Sequence, residues 1–183
     1  MPLMSIDLKK TIRQMRKGNQ LAGFQLYQNF SRATYNSILR IIPREDIARD
    51  LLQDSFIQAF EKIDSLENEL AFGGWLKRIA INKALAHLRQ DLKPFISLEE
   101  VPDFESSHEE LEMPDLPFSR INAAIMQLPA GCRLIFQLYY LEEYSHAEIA
   151  KELNTSLSNS KTQLRYAKNL LQNHVNQVNH HLL

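Results

Sequence analysis

From Ile47 to Ile63 the apolar residues recur with the period of an α-helix. Ile47, Ala48, Leu51, Leu52, Phe56, Ala59, Phe60 and Ile63 share one broad face, which Ser55 alone interrupts. A strand would send alternate members of that set to opposite sides, so this stretch folds as a helix or not at all. The opposite face carries Asp50, Gln53, Asp54 and Ile57 at i, i+3, i+4 and i+7. A lone exposed isoleucine is common on protein surfaces. Set among two carboxylates and an amide, Ile57 also fits a partner surface. A second helix is predicted to begin near Phe72. It carries the chain's one tryptophan, Trp75, and then a basic and amide edge of Arg78, Asn82 and Arg89.

Helical patterning continues on both sides of this pair. Residues 6–17 read as a helix with Ile6, Leu8, Ile12 and Met15 as apolar points, and Gly18-Asn19 ends it. Residues 20–42 form another, with Phe24, Tyr27, Phe30, Ile38, Leu39 and Ile42 among its apolar points. Pro43 stops it, because the proline ring disfavours helical geometry at the preceding residue. Four helices with short connections make one small all-α domain over residues 1–90.

The pattern collapses at Asp91. Residues 91–117 contain Pro94, Pro102, Pro114 and Pro117 and hold nine acidic residues against one basic. No helical period survives, and the stretch reads as an extended acidic linker. Its Phe95, Ile96, Leu98, Val101 and Phe104 exceed what a spacer needs and suit docking onto a domain or partner.

Helices return over 118–183. Ile121, Ala124, Ile125 and Leu128 make a short stripe, and Pro129-Ala130 suits a helix start with proline in the first turn. Leu134, Ile135, Leu138 and Leu141 carry the next stripe. Ser145-His146-Ala147-Glu148 matches a capping box, and Ser156 is a second N-cap after Asn154-Thr155. Two helices, Ser145–Leu153 and Ser156–Leu171, joined by a very short turn, follow the helix-turn-helix plan. In the second, Leu157, Ser160, Leu164, Ala167 and Leu171 are expected to face inward. Lys161, Thr162, Arg165, Tyr166 and Asn169 are expected to face outward.

Composition narrows the class. The 183 residues carry a net charge of −1, with 44% hydrophobic and 23% charged residues, as in a soluble globular protein. The total hides an asymmetry. Residues 1–90 hold 14 Lys/Arg against 9 Asp/Glu, and residues 118–183 hold 6 against 4, so both ends are basic around an acidic middle. A near-neutral total therefore excludes neither nucleic acid nor a protein partner. No apolar run approaches the roughly 18 residues a membrane helix needs, and no secretory signal is read at the N-terminus. The single cysteine, Cys132, permits no intramolecular disulfide and no cysteine-based metal site. His174, His180 and His181 read as a polar tail and not as a metal site. No phosphate loop, nucleophile elbow or zinc-protease motif is present, so no catalytic residues, cofactor or metal are expected and no enzyme activity is assigned.

Five segments together carry a resemblance. D-x-x-Q-D-x-F from Asp50 is followed by F-x-x-W-L-x-x-I-A-x-N from Phe72 and by Arg89. Then come L-P-x-x-x-R from Leu128, S-x-x-E-I-A-x-x-L from Ser145 and R-x-A-K-x-x-L from Arg165. In that order, across a proline-rich linker, they resemble regions 2 and 4 of bacterial RNA polymerase sigma factors, most closely the extracytoplasmic-function (ECF) group. The resemblance implies an all-α fold of a four-helix region 2 domain and a helix-turn-helix region 4 domain, joined by the linker. It implies a cytoplasmic factor that binds core RNA polymerase and directs promoter-specific initiation, with an anti-sigma factor as a common partner and no membrane insertion. By the same resemblance, Asp50, Gln53, Asp54 and Ile57 dock on the polymerase. Leu66, Glu69, Arg78, Asn82 and Lys83 meet the single-stranded minus-ten element. Ser158, Asn159, Lys161, Thr162, Arg165, Tyr166 and Lys168 meet the duplex minus-thirty-five element.

The chain also departs from the family pattern. Asn154-Thr155 replaces a Gly-Ile type turn, and Ser158-Asn159-Ser160 replaces Gly-Thr-Val. Gln163 and Tyr166 stand where basic residues are common on the outer face, Ala86 replaces an Asp, and the loop Leu66–Glu69 lacks the usual aromatic and basic pair. Two other functions remain compatible with the residues: a stand-alone helix-turn-helix regulator, and a polymerase-binding adaptor that no longer reads DNA.

Overall fold

A computed structural model describes residues 6–91 and 118–180. Among the described residues all regular structure is helical, and the chain divides into two compact units, Met1–Asp91 and Leu92–Leu183. The acidic stretch expected at 91–117 lies, from Leu92 on, outside the described residues.

In the first unit each helix boundary has a local cause. Helix α1 (Leu8–Arg16) starts where the Asp7 carboxylate accepts the Lys10 N–H at 3.1 Å. It stops at Gly18, whose φ of +79° is left-handed and costs glycine nothing. The Asn19 side chain then accepts the N–H groups of Leu21 and Ala22 and opens α2 (Gln20–Ile41). Pro43 follows, and α3 (Glu45–Glu61) begins with Glu45 and Asp46 in its first turn, the sign that the helix dipole favours. Two single turns of 3-10 helix, Ile63–Ser65 and Glu69–Ala71, lead into α4 (Phe72–Asp91).

Helix α4 packs against both α2 and α3, and α1 packs on α2. Ile12, Leu26, Ile38, Phe72, Leu76, Ile81 and Leu85 lose all contact with water. Each such side chain contributes about 1.5–3 kcal/mol by burial. Aromatic rings bridge the helices: Phe30 meets Phe72 edge to face at 5.2 Å, and Tyr27 meets Phe56 at a tilt at 4.8 Å between centroids. Trp75 is half-buried, 6.1 Å from the Phe72 ring. Ser55, the polar break in the α3 stripe, is fully buried. It stays satisfied because its hydroxyl donates to the Leu51 carbonyl at 2.5 Å, one turn back.

The second unit contains α5 (Phe118–Gln127), α6 (Ala130–Tyr140), α7 (His146–Leu153) and α8 (Leu157–His180). Helix α8 packs on α6 and α7. Four sequence expectations shift here. Pro129 is the N-cap of α6 rather than a residue of its first turn, and its carbonyl accepts the Arg133 N–H at 2.8 Å. Leu141 is exposed, because α6 ends at Tyr140 and Leu141 already turns away; Tyr144 is buried instead. Leu157 is exposed as the first residue of α8, one turn before the helix reaches its neighbours. Gln163, expected on the outer face, is buried. It sits three residues after Ser160 and four before Ala167, inside the inward stripe, and its Oε1 accepts the Cys132 thiol hydrogen at 2.7 Å.

The two adjacent glycines of α4 differ in their surroundings. A Cβ on Gly73 would lie 2.8 Å from Phe30 Cε1, whereas one on Gly74 would meet nothing within 4 Å. Gly74→Ala is therefore expected to raise stability by up to about 1 kcal/mol through helix propensity. Gly73→Ala carries an overpacking cost of about 1–3 kcal/mol against the same gain and should finish below wild type. Urea unfolding of both variants checks this. Equal gains would show that the Phe30 ring moves aside without cost.

Candidate functional site

On α3, burial of Leu52, Ser55, Phe56 and Ala59 forces the other side of the helix outward. Asp50, Gln53, Asp54 and Ile57 are all exposed there, with Ile57 56% accessible. The result is an acidic, amide-bearing surface with one apolar point.

The connection between α3 and α4 is held from outside itself. Arg16, at the end of α1, donates through Nε to the Ile63 carbonyl at 3.4 Å and through Nη2 to the Leu66 carbonyl. Its Nη1 lies 3.4 Å from Glu69 Oε1, and Arg13 Nε lies 3.6 Å from the same oxygen. Glu69's own backbone N–H, together with Arg13 and Arg16, holds its carboxyl below the usual carboxylate range. Two residues expected to meet DNA are thus committed to shaping this loop. The Leu66 side chain is buried with its carbonyl engaged, and Glu69 anchors two arginines. Of the remaining three, Asn82 is exposed, and Arg78 and Lys83 are half-buried at the two margins of the face that buries Leu76, Ala80, Ile81 and Leu85. Arg16 was not singled out from sequence. Its only signal there is an arginine in the last turn of an amphipathic helix, which does not reveal carbonyls some fifty residues away.

In the second unit the turn between α7 and α8 is built as its residue types dictate. Glu148 N–H donates to Ser145 Oγ at 3.3 Å, and Ser145 N–H donates back to Glu148 Oε2 at 2.8 Å, completing the capping box. Asn154 takes the left-handed conformation, φ 51° and ψ 48°, which closes the turn without glycine. Ser156 Oγ accepts the Asn159 N–H at 3.0 Å, and Asn159 Nδ2 donates to Thr155 Oγ1 at 2.8 Å. Ser158, Lys161 and Arg165 are exposed along α8, and Asn159, Thr162, Tyr166 and Lys168 are half-buried. The Lys168 ammonium lies 5.4 Å from the centre of the Tyr140 ring, a cation–π contact that steadies its stem.

The two helices are also pinned by a pair that sequence spacing did not disclose. His146, the first residue of α7, places Nδ1 2.9 Å from the Oγ of fully buried Ser160 in α8. Its ring stacks on Tyr139 of α6 at 4.7 Å. One imidazole thereby ties together three helices.

Burial, and then the charges of Lys161 and Lys168, push the His146 pKa below its ordinary value. The native state therefore favours the neutral imidazole more than the unfolded chain does, where it protonates near pH 6.5. The contribution of His146 to stability is complete above that value and is lost as pH falls through the lowered native pKa. Thermal melting of the wild type between roughly pH 7.5 and pH 5.5 should show this loss, and His146→Gln should flatten it. Equal slopes in the two proteins would rule out His146 as its source.

Comparison with known proteins places this architecture. Residues 26–92 match the family described as Sigma-70 region 2, and residues 118–171 match Sigma-70, region 4. The chain is 28% identical to the ECF RNA polymerase sigma factor SigW of Bacillus subtilis over 180 residues, covering 92% of this chain and 96% of that one. It is 27% identical to the ECF RNA polymerase sigma-E factor of Escherichia coli over 176 residues, covering 90% and 92%. Among solved structures, CnrH in its complex with the cytosolic domain of CnrY shares the fold, with a TM-score of 0.51 at 20% identity. That match covers 93% of this chain and 97% of that one. With both regions matched in order and relatives aligned over most of its length, the chain belongs to the sigma-70 family, in the ECF group of RNA polymerase sigma factors.

Proposed function

We infer that the protein binds core RNA polymerase and directs it to promoters, where initiation follows. The observation that carries this reading is the order of the two matched regions along one chain, the second ending in a capped helix-turn-helix with Lys161 and Arg165 exposed. The protein then works in the cytoplasm beside the polymerase and has no catalytic chemistry of its own. Among the described residues, no helix is long and apolar enough to cross a membrane. A regulatory protein of the anti-sigma kind belongs to the same proposal, since CnrH is solved with a protein bound to it.

The residue roles follow from exposure and chemistry. The α3 surface of Asp50, Gln53, Asp54 and Ile57 docks on the polymerase. Duplex bases are hidden, so reading them singly requires unstacking and capture. Asn82 offers both a donor and an acceptor to a separated base, while Arg78 and Lys83 suit phosphate. Leu66 and Glu69 support that site from behind as parts of the loop. On α8, Arg165 suits bidentate contact to guanine and Thr162 suits a thymine methyl. Lys161 and Lys168 suit phosphate, Ser158 and Asn159 lie at the helix N-terminus where phosphate is favoured, and Tyr166 takes a place on the outer face.

Transcription in vitro with purified core polymerase tests the function. Promoter-specific initiation is the expected result. Duplex binding without polymerase would indicate a stand-alone regulator, and inhibition alone would indicate an adaptor. Gln53→Ala with Ile57→Ala should weaken core binding at least about tenfold if these residues are central, with helicity unchanged. Full affinity in that variant would remove the surface from the interface. Arg165→Ala should cost roughly 1–3 kcal/mol on the cognate upstream element and relax selection there. Selection from a randomised element reads this out, and an unaltered preference would take base readout away from Arg165.

A further inference from the structure

The outward face of α1 has a charge pattern that helix stability does not explain. Leu8, Thr11, Ile12 and Met15 turn toward the core side, and Thr11 and Ile12 are buried. Lys9, Lys10, Arg13 and Lys17 turn outward, with half-buried Arg16 at the margin. Cations at the C-terminal end suit the helix dipole, which accounts for Arg13, Arg16 and Lys17. Lys9 and Lys10 stand in the first turn, at the positive end of that dipole, two cations against the single carboxylate of the N-cap Asp7. Like charges four apart, Lys9 with Arg13 and Arg13 with Lys17, add further repulsion. Asp7 is engaged in capping the helix. Among the described residues, no ion pair involves Lys9, Lys10 or Lys17; those of this helix run from Arg13 and Arg16 to Glu69 and Asp64. A local arrangement that works against its own helix marks a site with another purpose.

Its location indicates what that purpose is. Arg13 and Arg16 bind the connection between α3 and α4 through Glu69 and the carbonyls of Ile63 and Leu66. The cationic face therefore borders the segment that leads into Arg78, Asn82 and Lys83. We propose that the outward face of α1, through Lys9, Lys10 and Lys17, binds the phosphate backbone of promoter DNA and extends the strand-binding surface of α4 past the connecting loop. The inference rests on the promoter-directing reading above. Arg13 stands between the three lysines and Glu69, so the face is continuous with the loop. A lysine ammonium gives a sequence-independent phosphate contact, which lengthens the hold on DNA without altering which promoter is chosen.

The test uses the full chain carrying Lys9→Gln, Lys10→Gln and Lys17→Gln, assembled with core polymerase. The probe is a promoter selected from a randomised library by the wild-type holoenzyme. Lysine and glutamine have similar helix propensities, so melting should be unchanged or slightly higher. Affinity measured against salt concentration should show a log–log slope smaller by about 2, since each lost single-strand phosphate contact removes roughly 0.7. Promoter preference should be retained and open complexes should dissociate faster. On a template with a preformed bubble, persistence of the difference assigns the phosphates to separated strand, and its disappearance assigns them to duplex. An unchanged slope would overturn the proposal and leave a solvated face. An unchanged slope with weaker core binding would overturn it in favour of a polymerase contact. Failure of the wild type to initiate anywhere would remove the promoter-directing reading, and this inference with it.

Discussion

One guanidinium holds the irregular part of the first unit. Where α3 ends and α4 has yet to begin, backbone carbonyls lose their helical partners, and a carbonyl buried unpaired is costly. Arg16 supplies donors to two of them, Ile63 and Leu66, and binds Glu69 as well. Charge-assisted hydrogen bonds of this kind contribute more than neutral ones, about 1.5–3 kcal/mol each. They also set direction. With the connection held, Phe72 is positioned to bury completely and to meet Phe30 edge to face, and α4 is aligned to pack on α2 and α3 together. The surface offered by Asn82 therefore depends on an arginine that is distant in sequence and touches no proposed ligand. The second unit solves the same problem locally. Its turn is closed by side chains within three or four residues: Ser145 with Glu148, Ser156 with Asn159, and Asn159 with Thr155.

That contrast explains what could be read from the chain alone. Helices, caps and their order depend on neighbours in sequence, so the period of Ile47 to Ile63, the capping box and the left-handed Asn154 were all legible. The expectations that shifted depend on tertiary context. Leu141 continued an apolar rhythm that the fold ended one residue earlier. Leu157 had the spacing of a core residue but stays 47% exposed at the first position of α8. Gln163 read as polar and therefore outward, yet an amide can be buried wherever a donor meets it, and Cys132 does. No spacing rule connects residue 132 to residue 163.

The candidate sites divide along the same line. The α3 surface was legible because one strongly apolar face leaves the other exposed. The α8 surface was legible in outline, since Lys161 and Arg165 are exposed on successive turns. The loop was not. Leu66 and Glu69 occupy positions that resemblance assigns to DNA, but the structure turns one side chain inward and ties the other to arginines. Ser160 looked like a weakened core position in place of a valine. With His146 bonded to it and stacked on Tyr139, it becomes a polar joint, which is more directional than a valine contact.

The burial of Cys132 has a practical consequence. Its thiol is the only one in the chain. Desolvation pushes its pKa up to about 11, so almost none is present as thiolate at neutral pH, and the side chain lies behind Gln163 between α6 and α8. A thiol reagent can reach it only when those helices separate. The rate of labelling then times the opening of the helix-turn-helix unit in the intact protein, with no engineered cysteine and no background from another.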